Sequence, residues 1–207
     1  MLEENLNEGS SNQSRVLEGK ALLMVNMSKF VVEIVGTAFL GLFYLLMGDK
    51  QAGVLLGYWV VTLFGVAISG AHFNPCVTLV HMFKKNPEKL FRGQRLIGFM
   101  YMVAQLAGGM IAALLAFFIL DTEHCHQVLV EPISIGAIDT TQDTSSSKWF
   151  AAMTSEIIGT FFFCFLFMLC TDKSTQFSQD RVINCFIIAA AFCSSRLLSG
   201  GTLVSGI

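Results

Sequence analysis

The chain has 207 residues, 54% of them hydrophobic and 14% charged, with a formal net charge of −2. Soluble domains carry about 25% charged residues, so this composition excludes an ordinary soluble domain and points to a protein immersed in lipid. The sum of the charges says little, because in a membrane protein their distribution along the chain carries the information.

Taken in chain order, residues 1–27 hold Glu3, Glu4, Glu8 and Glu18 among Asn and Ser. This stretch shows no basic-then-apolar start, so no cleavable leader is expected in it and it reads as a disordered aqueous tail. Five apolar stretches follow, at about residues 30–47, 53–68, 96–120, 150–170 and 183–198. A membrane-crossing helix needs about 20 apolar residues, and the second stretch is the shortest of the five. All are rich in Gly and Phe and none alternates, which predicts packed helices rather than barrel strands. The expected fold is therefore all-α and multi-pass.

Charge sets the expected orientation. Lys84, Lys85, Lys89, Arg92 and Arg95 face a single acid, Glu88, in the connection after residue 83. Residues 121–148 carry Asp121, Glu123, Glu131, Asp139 and Asp143, with no Lys or Arg before Lys148 at the far end. Basic loops stay cytoplasmic, so the acidic loop is expected outside and the N-terminus in the cytoplasm.

The segment at residues 69–83 is the informative one. Ser69-Gly70-Ala71-His72-Phe73 is a poor helix continuation, and Pro75 cannot sit inside a helix without breaking it. Beyond it, Cys76 to Phe83 is apolar but too short to span. A re-entrant segment resolves this, with Asn74 as N-cap and Pro75 as first helical residue. Free carbonyls of Gly70, Ala71, His72 and Phe73 are tolerable at that depth only beside water. The pattern thus asks for a wet pore, with the positive end of a short helix turned toward its centre and against cations.

Two strings repeat across the chain: Glu33-Ile34-Val35-Gly36-Thr37 and Glu156-Ile157-Ile158-Gly159-Thr160. Each opens an apolar run with a carboxylate in the same register, the mark of an internal repeat in a pore or carrier. Acids at such depth are costly and usually functional, so Glu33 and Glu156 are expected to brace re-entrant loops.

Together, SGAHFNPCVT at residues 69–78, the paired Glu-x-x-Gly-Thr strings, Tyr101 with Ala104-Gln105-x-x-Gly108-Gly109, and Cys170-Thr171-Asp172-Lys173 resemble the aquaporin (major intrinsic protein) family. Cys76 stands where that family usually has Ala. The resemblance covers residues 28–207. It implies an aquaporin-like inverted repeat: a first repeat over 28–120 with its half-helix at about 69–83, then a loop at 121–148. A partial second repeat would occupy 149–207. It further implies passage of water and small uncharged solutes with exclusion of protons and ions, and a homotetramer in a lipid bilayer. By the same resemblance Asn74, Pro75 and Cys76 form the pore box, Gly70 to Phe73 an acceptor ladder, and Val54 and Leu198 fall at the outer filter. Neither filter residue is the His of water-selective members, so strict water selectivity is not implied.

The only prolines are Pro75, Pro87 and Pro132, so a second Asn-Pro box is not within these residues. Either Ser205-Gly206 corresponds to Ser69-Gly70 and the box would follow Ile207, or Ser199-Gly200 corresponds and the box has been lost. Spacing favours the first. The polypeptide alone is expected to be unstable or non-conducting, and the alternative function is a non-conducting subunit that joins full-length relatives.

Other motifs read more plainly. His72, Cys76 and His81 are taken as pore-loop and packing residues, and His124-Cys125-His126 as solvated loop. Gly53-x-x-x-Gly57 and Gly108-Gly109 are helix-packing residues. Arg196 precedes the loop rather than following a box, so it is not read as a filter arginine. No enzyme, cofactor, metal or nucleic-acid role is expected, since no nucleophile, base or ligand set is assembled.

Overall fold

The computed structural model describes residues 26–47, 50–83, 91–120 and 145–204. Within them the chain is helical: α1 Asn26–Met47, α2 Gln51–Gly65, α3 Pro75–Phe83, α4 Phe91–Ile119, α5 Ser145–Thr171 and α6 Arg181–Val204. Helix is the form lipid imposes, because each backbone N–H and C=O must find a partner within its own segment. Among the described residues α1, α4, α5 and α6 contain stretches long and apolar enough to cross a membrane.

The second expected span differs. Its helix is 15 residues long and stops at Gly65, and residues 66–69 form a turn closed by Ile68 N–H and Ser69 N–H onto the Gly65 carbonyl, both at 3.0 Å. The remaining helices exceed their apolar stretches. α1 starts at Asn26, α4 at Phe91, and α5 at Ser145, within the expected loop at 121–148. α6 continues past Leu198 through Gly200 and Gly201 to Val204. Hydropathy marks where a helix meets lipid, whereas its backbone ladder runs on into polar residues until a breaker intervenes. Residues 1–25, 48–49, 84–90, 121–144 and 205–207 lie outside the described residues, and with them the N-terminal tail, most of the basic and acidic loops, and His124-Cys125-His126.

Polar side chains set the sharp helix starts. Asp180 caps α6 by accepting the Val182 N–H at 2.8 Å. Asn184 closes that turn, accepting from Ser178 N–H at 3.3 Å and donating to the Ser178 carbonyl at 2.7 Å. The turn after α5 is tied by Asp172, whose Oδ1 accepts from both the N–H and hydroxyl of Ser174.

Packing is most extensive between α5 and α6, then between α2 and α6, and the short α3 wedges against α4 and α5. The core lies where α2, α3, α5 and α6 meet, around Tyr58, Val77, Phe163, Phe167, Ile188 and Ala189. Rings dominate it: Tyr58 stacks on Phe192 with centroids 4.5 Å apart, and Phe163 meets Phe192 edge-on at 5.5 Å. Outward faces carry exposed Phe39, Phe64, Leu106, Phe118 and Phe161, a surface suited to lipid. Between α1 and α2 an apolar groove of about 470 Å³ opens, lined by Val35, Phe39, Val60, Phe64 and Phe73 among others.

Lipid gives no hydrophobic drive for helices to associate, so close approach depends on small residues. Gly108 of α4 lies against the Ile34 carbonyl of α1 and the Thr37 side chain. Gly57 of α2 faces the Phe43 ring and Gly53 faces Met47, whereas Gly109 faces open space. Gly108→Ala should therefore cost roughly 1–3 kcal/mol through overpacking against backbone. Gly109→Ala should shift stability by no more than about 0.5 kcal/mol. Thermal unfolding of the two variants in detergent checks the contrast.

Candidate functional site: the re-entrant loop and its two cavities

The site begins where α2 ends. After the turn at 66–69, residues 70–73 run through the protein without ladder partners, and α3 starts at Pro75. Three loop residues hold left-handed backbone: Gly70 at φ 91°, Ala71 at φ 51° and Phe73 at φ 46°. Glycine takes this conformation freely. Ala and Phe do not, at a cost on the order of 1–3 kcal/mol each, so surrounding structure must hold them there.

Glu33 of α1 supplies much of that hold. Its side chain is fully buried, at 0% exposure. One carboxyl oxygen accepts the His72 N–H at 3.1 Å, and the other accepts the Phe73 N–H at 2.8 Å. Gln105 of α4 donates through Nε2 to the same Glu33 oxygen at 2.8 Å and to Thr78 Oγ1 at 2.9 Å. Thr78 in turn donates to the Asn74 carbonyl at 3.2 Å and meets His72 Nδ1 at 3.2 Å. Loop, half-helix and two long helices thus share one polar network in an otherwise apolar interior.

Further contacts fix the loop at both ends. Tyr101 of α4 donates to the Ser69 carbonyl at 3.0 Å, and Ala71 N–H donates to Ser69 Oγ at 3.0 Å. A long bond of 3.5 Å joins the Thr37 hydroxyl to the Phe73 carbonyl. The Phe73 ring is clamped between Gly36 of α1 and Gly65 of α2, where any added Cβ would collide with it.

Asn74 caps α3. Its Oδ1 accepts the Cys76 N–H at 2.8 Å, and Pro75 occupies the first helical position, where its missing N–H costs nothing. Since Oδ1 is engaged as acceptor, the side-chain NH₂ is the group turned away from the cap, presenting two donors.

The loop separates two polar cavities. One, of about 430 Å³, is lined by Gly70, His72, His81, Lys173, Gln176, Arg181 and Asn184 among others. The other, of about 240 Å³, is lined by Tyr44, Asn74, Cys76, Glu156, Thr160, Phe163, Phe192, Ser195 and Arg196. No residue lines both. Beside the loop the rings of His72 and His81 lie 4.3 Å apart, and each meets Phe167 edge-on.

The sequence-derived residues therefore fall unevenly. Gly70 and His72 line the larger cavity, whereas the side chains of Ala71 and Phe73 are buried in the interior. Asn74 and Cys76 line the smaller one, with Glu156 exposed on its wall. Among the described residues Glu156 accepts no hydrogen bond, in contrast to Glu33. Val54 is buried at 2% exposure and Leu198 is 49% exposed, and neither lines the cavity that holds Asn74. Gln105, Thr78, Tyr101 and Thr37 escaped sequence reasoning as loop partners. The one available signal was a Gln in the middle of an apolar helix. Tyr44 and Arg196 as cavity residues carried no signal, because their facing depends on how α1 and α6 cross.

Among the described residues no group of three or more His, Cys, Asp or Glu is placed to hold a metal. Among the described cysteines Cys76 is exposed, while Cys164, Cys170, Cys185 and Cys193 are buried.

Glu33→Ala should destabilise the protein by roughly 3 kcal/mol or more, because two loop N–H groups and a Gln105 donor lose their acceptor. Glu33→Gln keeps one acceptor oxygen and should cost about 1–3 kcal/mol. Glu156→Ala should stay within about 0.5 kcal/mol. Detergent melting curves of the three variants give the order.

The family model Major intrinsic protein matches residues 51–204. Comparison with curated proteins and with solved structures gave no match.

Proposed function

The chain belongs to the major intrinsic protein family, whose members are channels for water or small solutes, and from that premise we propose that it forms a passive pore for water and other small neutral solutes that excludes protons and ions. The observation that carries this reading is a re-entrant loop with polar cavities at both ends inside an apolar helix bundle, Gly70 and His72 lining one and the Asn74 cap lining the other.

Each part of the site has a place in that mechanism. The NH₂ of Asn74 donates to the oxygen of a passing water or hydroxyl, which turns that molecule's own hydrogens away from the box. A water so oriented cannot relay a proton through it. The positive end of α3 points to the same spot and opposes cations. Gly70 and His72 line the approach from the other cavity, and Glu33 holds the loop so that its backbone keeps a fixed shape. Orientation with the N-terminus in the cytoplasm and assembly as a homotetramer belong to the same proposal.

Proteoliposomes containing the chain should shrink faster than empty ones after an osmotic jump, against the non-conducting outcome expected from the sequence alone; shrinkage no faster than empty vesicles overturns the reading in favour of the non-conducting subunit. Asn74→Asp keeps the capping oxygen but replaces the donors. It should leave the melting temperature near its original value while cutting water permeability by roughly fivefold, the equivalent of one hydrogen bond of about 1 kcal/mol. Cys76 is exposed beside Asn74, so a mercurial should block flux and Cys76→Ala should abolish the block. Persisting inhibition in Cys76→Ala would assign the block to another thiol.

A further inference from the structure

The smaller cavity holds two formal charges of opposite sign. Among its described lining residues Glu156 of α5 and Arg196 of α6 are the charged ones, and they share the wall with Asn74, Cys76, Tyr44, Thr160 and Ser195. Arg196 is not loosely placed. Its guanidinium lies over the Tyr44 ring of α1, 4.3 Å from the centroid, a contact that suits a planar, weakly hydrated cation. A charged side chain within a membrane-crossing helix is costly and marks a functional wall.

We propose that Arg196 and Glu156 act as a charge-balanced pair that keeps this cavity open to neutral solutes and closed to small ions of either sign. The proposal rests on the reading of the chain as a pore for neutral solutes and names the residues that set its specificity. The physical reason is focusing. In a narrow cavity with low-dielectric walls, one uncompensated charge raises the local concentration of counter-ions by ten- to a thousandfold. Glu156 alone would draw cations toward Asn74, and Arg196 alone would draw anions. Together they leave no net charge, so the cavity concentrates neither cations nor anions, and the passage of a neutral solute depends on neither side chain. Tyr44 is the positioning residue, because its ring holds the guanidinium at the wall.

The test uses proteoliposomes of the full chain, with osmotic water flux and uptake of methylammonium and iodide measured side by side. Arg196→Gln should keep water flux and raise methylammonium uptake roughly tenfold or more. Arg196→Lys, which keeps the charge, and the double variant Arg196→Gln/Glu156→Gln, which restores neutrality, should both be as tight to methylammonium as the original chain. Glu156→Gln should instead admit iodide. Arg196→Gln vesicles that carry water but remain as tight to methylammonium as the original chain overturn the pair and leave the pore reading intact. So does a double variant that leaks as much as the single. If Arg196→Gln does not fold, Glu156→Gln decides, and unchanged iodide exclusion overturns the proposal. Original-chain vesicles with no water flux overturn both the pair and the pore reading beneath it.

Discussion

Two adjacent backbone N–H groups in a non-helical loop inside a membrane protein must find acceptors, and this requirement shapes the whole first half of the chain. His72 and Phe73 find theirs in one carboxyl group, that of Glu33. Left without it, each would carry a desolvation cost of about 1–3 kcal/mol, on top of the strain of left-handed Ala71 and Phe73. The consequences spread outward from there. Glu33 must be buried, so it needs Gln105. Gln105 must sit deep in α4, so α4 must press close to α1, and Gly108 permits that approach.

The same network decides what faces water. Because the loop is held from the α1 and α4 side, Gly70 and His72 are left toward one cavity and the Asn74 cap toward the other. The half-helix is short, but it is anchored at its first turn by its own cap and by Thr78. Its N-terminal groups are therefore kept in place by bonds within the protein, and in the proposed pore a solute would meet donors already oriented. Pre-organisation of this kind removes the cost of ordering a site when it is occupied.

Much of this was legible in the residues. Pro75 after Asn74 marks the half-helix start, the apolar runs mark the long helices, and an acid at the head of a span marks a bracing group. Chain position alone could not place the helix ends, because Asn26, Ser145 and Val204 extend ladders beyond the apolar stretch that hydropathy detects. Nor could it distinguish Glu33 from Glu156. The two stand in matching strings, yet one is enclosed by a loop, a Gln and a Tyr-bearing helix, and the other stands exposed on a cavity wall. A local string specifies a residue's register on its helix, while its partners come from other segments. Arg196 makes the same point in reverse: its place in the sequence argued against a pore role, and the crossing of α6 over α1 brings it to Tyr44 beside the Asn74 cavity.

Phe73 has one further consequence. Its backbone belongs to the loop that Glu33 holds, while its ring, clamped by Gly36 and Gly65, also forms part of the groove between α1 and α2. That groove is apolar, a lining suited to hydrocarbon. One aromatic side chain thus joins the apolar groove to the loop that leads into the Asn74 cap. Any displacement of that ring from the groove is therefore transmitted through one Cα to the backbone beside the Asn74 cap, which ties the packing of α1 on α2 to the geometry of the half-helix start.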